Sequence, residues 1–278
     1  MSGTKIRTHG KDIERSIGRE IDRIDTAPIF SDADAVRLNR LYRGADTREL
    51  LAGVLLDRVA GEIAVVSSFG AESAVLLHMI ADVAPATPVL FLETGKHFPE
   101  TLAYRDLLVE RLGLTNLINL TPDAALLAKK DESGLRWSYD PDGCCEIRKV
   151  QPLARAMAGY DATITGRKGF QSATRAGLPR FEIDKVDAAG RLKVNPLADW
   201  DAERLAEYFT RHDLPPHPLV AQGYPSIGCS PCTSKVAEGE DPRSGRWRGW
   251  DKTECGIHVP GATGPDEGEL PPGYEPVF

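Results

Sequence analysis

At 278 residues, 41% of them hydrophobic, the chain has material for one large core or two small ones, and its formal charge of −7 speaks against a general nucleic-acid binder while leaving room for a local basic pocket. No apolar run approaches the roughly 18 residues of a membrane span, and residues 1–30 mix acids and bases with no secretory signal. Five cysteines, an odd number, argue against a disulfide framework and for reduced thiols, so a soluble cytoplasmic protein is expected.

Residues 1–30 lack sustained apolar period and read as a loosely held arm. The body is expected over 31–238. Asp46, followed three places later by Glu49, reads as the capping box of a helix carrying Leu50, Val54, Leu55 and Val59. Short apolar runs at 63–67, 88–92, 116–120 and 161–165 read as buried parallel strands. Helical patterns at 72–82, 99–112 and 123–130 lie between them at crossover length. The expected fold class is therefore α/β, a mostly parallel twisted sheet flanked by helices. Runs at 181–186 and 191–194 suggest a β-hairpin with Gly190 in its turn, and a helix from Asp199 to His212 follows. Residues 239–278 hold eight Gly and six Pro, a composition that predicts an extended, mobile segment, and Cys255 lies within it.

Two loops at the ends of expected strands carry chemistry. Ser67, Ser68, Phe69, Gly70, Ala71, Glu72 and Ser73 join a buried strand to a helix N-terminus, where backbone N–H groups and the helix dipole favour an anion. A tight turn capped near Ser73 explains the same residues equally well. No Walker motif and no GxGxxG occurs. Glu93, Thr94, Gly95 and Lys96 close the next strand and are expected beside the first loop, because open α/β sheets bind ligands at the carboxyl ends of adjacent strands. Thr165, Gly166, Arg167 and Lys168 would add two cations, or else ordinary solvated surface.

The cysteines form an adjacent pair, Cys144 and Cys145, a CxxC, Cys229 and Cys232, and a singlet, Cys255. Four thiolates suit an iron–sulfur cluster or a zinc ion; adjacency weighs toward the cluster, since separate iron corners accept neighbouring ligands more readily than one tetrahedral ion does. Plain free thiols are the third reading. Lys149 follows the adjacent pair on an expected helix and would lie near a cluster. Cys255, near Lys252, His258, Arg243, Arg246 and Arg248, sits in an electropositive stretch that favours thiolate.

Together the Ser67 to Ser73 loop, Glu93-Thr94-Gly95, Cys144-Cys145 with Arg148-Lys149, Cys229-Ser230-Pro231-Cys232, the Arg243 to Trp247 segment and the Lys252 to His258 segment resemble the assimilatory sulfonucleotide reductases, most closely the iron–sulfur adenylyl-sulfate (APS) reductases. The resemblance spans about 45–260 and implies an adenine nucleotide alpha hydrolase-like fold. It implies one 4Fe-4S cluster on Cys144, Cys145, Cys229 and Cys232, and Cys255 as nucleophile on APS. It implies an S-sulfocysteine intermediate, thioredoxin or a similar dithiol protein as reductant, and sulfite and AMP as products. Ser67, Ser68, Phe69, Gly70, Glu72, Ser73, Thr94, Gly95, Lys149, Arg167, Lys168, Arg243, Arg246 and His258 are the implied substrate contacts. The chain departs from the family pattern at Glu93, where Asp is usual, and at Gly169, where a second consecutive cation is common; Arg167 is the expected substitute. A PAPS or dual-specificity reductase keeps the chemistry and changes the nucleotide. An ATP-dependent tRNA-thiolating enzyme and a zinc-stabilised nucleotide-binding module are the rivals from other classes. A homo-oligomer fits a cytoplasmic enzyme of this size.

Overall fold

The computed structural model describes residues 28–258, so most of the expected N-terminal arm and the last twenty residues of the C-terminal segment lie outside the described residues. The first described element is α1 (Asp32–Leu41), which the sequence did not lead us to expect. Its signal was present: Ser31 and Asp34 form a reciprocal capping box, each accepting from the other's backbone N–H. Helix α2 (Thr47–Leu55) starts as expected at Asp46, whose carboxylate accepts from the Glu49 N–H at 2.8 Å.

Strands β1 (Ile63–Val66), β2 (Val89–Leu92), β3 (Leu117–Leu120) and β4 (Ala162–Thr165) alternate with α3 (Ser73–Val83), α4 (Pro99–Leu112) and α5 (Ala124–Lys130). Between β3 and β4 runs α6 (Pro141–Cys145), a π-helical turn (Glu146–Val150) and α7 (Gln151–Ala156). The hairpin β5 (Phe181–Ile183) and β6 (Leu192–Val194) follows, then α8 (Ala202–Arg211), capped by Asp201. The sheet order is β3-β2-β1-β4-β6-β5, parallel throughout except at β5. The hairpin is no separate appendage: β6 pairs with β4 in register Ala162 to Leu192 and extends the sheet.

Period-two alternation makes two apolar faces. Ile63 and Val65 of β1 and Val89 and Phe91 of β2 join the large core with Leu38, Leu50, Leu51, Val54, Leu77, Ile80 and Leu108, whereas Ala64 and Leu90 meet Met157 and Leu153 on the other face. A strand buried on both faces must be apolar at every position, hence the unbroken runs in the sequence. Gly190 turns the hairpin at φ +67, and a Cβ there would lie 2.5 Å from the Pro28 ring, so both conformation and close approach require glycine. Phe30 donates to the Gly190 carbonyl, which ties residues 28–30 to the sheet edge.

Candidate active site

The chain runs from β1 outward to β3 and then returns to β4 on the other side of β1, leaving a crevice at the carboxyl ends of β1 and β4. There a cavity of about 320 Å³ opens, lined by the loops after both strands, by residues 225–229 and by the C-terminal segment. Ser67, Ser68, Gly70, Glu72 and Ser73 line it from the β1 loop, and Arg167 and Lys168 from the β4 loop. Lys149, Arg243, Arg246, Cys255 and His258 complete the set.

Three expected contacts do not line it. Phe69 takes φ +48, which turns its ring into the core, edge-on to Phe91 at 5.6 Å. Thr94 is fully buried, its hydroxyl 3.4 Å from Cys229 Sγ and its carbonyl accepting from Arg148 at 2.7 Å. Gly95 donates its N–H to Glu93 Oε1, and Glu93 faces Arg105 at 3.7 Å. Thr94 therefore supports the cysteines, and of the β2 loop it is His97 that reaches the large cavity.

The first loop ends at the N-terminus of α3. Glu72 stands at the cap position without a side-chain capping bond, and the Ser73 hydroxyl donates to the Gly70 carbonyl at 2.8 Å. The Ser73 N–H donates to the Gly70 carbonyl at 3.1 Å, which leaves the next N–H groups of the first turn with capacity for an anion. Glu72 instead reaches across to Lys168 at 2.8 Å and to Gln171 Nε2 at 2.6 Å.

Six cations line the cavity: Lys149, Arg167, Lys168, Arg175, Arg243 and Arg246. Lys168 pairs with Glu72, Arg167 with Glu182, and Arg175 and Arg243 both reach Glu254. Among the described residues Lys149 and Arg246 have no carboxylate at ion-pair distance. Burial works against the charge on Lys149, but Cys229, Cys255 and Cys145 outweigh it and hold the amine above its usual range. Among the described residues three buried side-chain atoms lack a partner, His97 Nδ1, Arg246 Nε and His258 Nδ1, and all three residues line this cavity. Unsatisfied polar atoms concentrated in one place mark a site prepared for a polar ligand. Burial, reinforced by Lys193, Arg167, Arg175 and Arg243, keeps His258 well below the usual imidazole range, so it presents a neutral ring.

Cys144, Cys145, Cys229 and Cys232 line a second, smaller cavity adjoining the first, with Lys149 and Trp247 on the walls of both. Three of the four are buried and Cys232 is half-buried. Asp140 caps α6 by accepting from Gly143 N–H, and Arg136 grips the same carboxylate at 2.9 and 2.6 Å; a Cβ on Gly143 would sit 2.1 Å from it. The π turn after Cys145 is the kind of helical irregularity that recurs at functional sites. Arg148 leaves that turn to pair with fully buried Asp131 at 2.6 Å, locking the cysteine helix to the β2 loop. Burial pushes the Cys144 thiol up to about 12 and raises Cys232 as well. Among the described residues no group of three or more His, Cys, Asp or Glu side chains is placed to hold a single metal ion.

Cys255 is brought to the junction of the two cavities. Its thiol meets Cys145, and that hydrogen bond, helped by Lys149 and Lys252, holds it well below the usual thiol range despite burial. Residues 239–258 lie against the body: Ser234 N–H donates to the Gly245 carbonyl, Trp247 N–H to the Cys232 carbonyl, and Lys193 Nζ to the Ile257 carbonyl.

A model of the phosphoadenosine phosphosulfate reductase domain matches residues 62–235, which include both loops and all four paired cysteines. The chain belongs to this family. Within the phosphoadenosine phosphosulfate reductase family it is 50% identical over 243 residues to the adenosine 5'-phosphosulfate reductase of Mesorhizobium japonicum, covering 87% of this chain and 94% of that protein. It is 49% identical to the enzyme of the same name from Chelativorans sp., covering 84% and 94%. The crystal structure of phosphoadenylyl-sulfate reductase from Candida auris, a phosphate complex, aligns with a TM-score of 0.61 at 26% identity over 74% of this chain and 98% of that one.

Sequence reasoning missed Arg175, Gln171 and His97. Arg175 carries no spacing signal; it reaches the cavity only because two short helical turns after β4 fold it back. At Gly169 a Cβ would lie 3.2 Å from the Ala198 carbonyl, so a longer side chain is crowded there, and Arg175 provides a guanidinium on the same wall.

Proposed function

We propose that this protein reduces adenylyl sulfate (APS) to sulfite and AMP, with Cys255 as nucleophile. The observation that carries this reading is the placement of the Cys255 thiol at the head of a crevice that pairs the α3 N-terminus with Lys149 and Arg246, two cations without a carboxylate partner among the described residues. The names of the relatives at about half identity support APS over other nucleotides.

The α3 N-terminus and the Ser67–Ser73 loop receive the nucleotide phosphate, and Lys149 and Arg246 draw off charge from the sulfonate oxygens. The Cys255 thiolate attacks the sulfur; the S–O bond to AMP breaks, AMP leaves with the electron pair, and an S-sulfocysteine remains on the enzyme. A dithiol protein of the thioredoxin kind then supplies two electrons: one of its thiolates displaces sulfite, and its second thiol completes a disulfide while Cys255 returns to thiol. A reducing cytoplasm, and a place in sulfate assimilation, agree with that need.

The donor set of the smaller cavity, four thiols with no His or carboxylate among its lining residues, suits a 4Fe-4S cluster, and Lys96, Arg148 and Lys149 on its wall would offset the cluster's negative charge. Cys144, Cys145, Cys229 and Cys232 would hold it, and the chemistry it would supply is electrostatic, a charged body beside Lys149.

The test is mass spectrometry of the anaerobic protein mixed with APS and no reductant. An adduct of about 80 Da on Cys255, released as sulfite by a dithiol protein and absent from Cys255→Ser, is expected. An unmodified Cys255 in a protein with four irons per chain would overturn the reading, and faster adduct formation from PAPS would move it to the 3'-phosphorylated substrate.

A further inference from the structure

Glu254 immediately precedes Cys255, and its carboxylate is the point at which the C-terminal segment meets the β4 wall. Arg175 holds it through two parallel bonds, Nε to Oε1 and Nη2 to Oε2, both 2.8 Å, with the two side chains only 9% and 8% exposed. Arg243 reaches the same carboxylate at 3.4 Å and the Thr253 carbonyl at 2.9 Å. Arg175 is itself oriented by Gln171, whose amide bonds Glu72 at the N-terminus of α3. A continuous chain of polar contacts therefore runs from the phosphate-loop residue Glu72 through Gln171, Arg175 and Glu254 to the backbone of Cys255.

A buried ion pair adds little net stability, because desolvation consumes the Coulombic gain, but a bidentate one fixes direction. We propose that Glu254 is a positioning residue: its fork with Arg175 seats the Cys255 segment across the cavity and sets the line along which the thiolate meets the substrate. This rests on the reading of Cys255 as nucleophile. The other ties on the segment, Lys252 to Asp142 and Lys193 to the Ile257 carbonyl, restrain its course without reaching the residue that abuts the thiol on its N-terminal side.

Glu254→Gln keeps the shape and removes the charge. Amide hydrogen exchange over residues 252–257 of the ligand-free full chain should speed up about 10-fold or more, with exchange in β1 and β4 unchanged. In sulfite production kcat should fall about 10-fold while KM stays within about 2-fold, since a misplaced nucleophile loses rate and not affinity. Glu254→Asp, which keeps the charge, should lie between. Wild-type exchange in Glu254→Gln, faster exchange throughout the sheet, or a loss carried in KM would each overturn the proposal. The exchange measurement needs no turnover, so a wild-type chain that takes no adduct on Cys255 would sink the reductase reading while the exchange arm still decides whether Glu254 seats the segment.

Discussion

Lys149 is the cation shared by the two cavities, beside Cys229 and Trp247. It lines both, has no carboxylate partner among the described residues, and keeps its charge because thiols surround it. In Lys149→Met the side-chain volume is nearly retained while the charge is lost, and single-turnover adduct formation should slow about 100-fold or more, the usual cost of removing one preorganised charge from a developing anion. Much of this was legible in the sequence, because Lys149 sits four places after an adjacent cysteine pair and any helix carries it to the same end. Phe69 was misread at the same scale: an aromatic inside a loop motif looks like a ligand contact until the loop's positive φ sends the ring to the core.

Among the elements, the cysteine helix depends most on charges buried beneath it. Among the described residues Arg148 is the guanidinium that pairs with Asp131, which is buried and whose other oxygen accepts from the Arg136 N–H at 2.8 Å. Arg148→Met should therefore destabilise the fold by about 3–5 kcal/mol, the cost of an uncompensated buried carboxylate, measured as a lowered midpoint in urea. With the proposed cluster bound by the four paired cysteines, iron per chain should fall with it, since the same guanidinium ties the π turn to the β2 loop beside Cys229. Most helices and strands, α1 excepted, were readable to within a few residues because caps and apolar periods are local, as at Asp46. The π turn was not, since it carries no propensity signature.

At the scale of the molecule, acid should open the structure at the seam of α4 with residues 214–219. His217 is 1% exposed, lies 3.1 Å from the Thr101 hydroxyl and accepts from Leu219 N–H at 3.2 Å, and burial depresses its pKa to about 4. Between the unfolded value near 6.5 and the folded value near 4 the unfolded chain carries the extra proton, so stability declines as pH falls through that window, by about 3 kcal/mol in all. Urea midpoints taken from pH 7 to pH 4 should show that decline, and His217→Gln should flatten it.

The sequence by itself determined the α/β class, the parallel strands, the cysteine set and the family, because strand periodicity, helix caps and short motifs depend on neighbours a few residues apart. Only the tertiary structure decided that the β5–β6 hairpin extends the main sheet, that Arg175 joins the cavity, that Thr94 serves the cysteines, and that Glu254 is gripped across it. Those contacts join residues tens to more than a hundred positions apart. Their geometry follows from how β1, β2 and β4 align their ends, which no local pattern encodes.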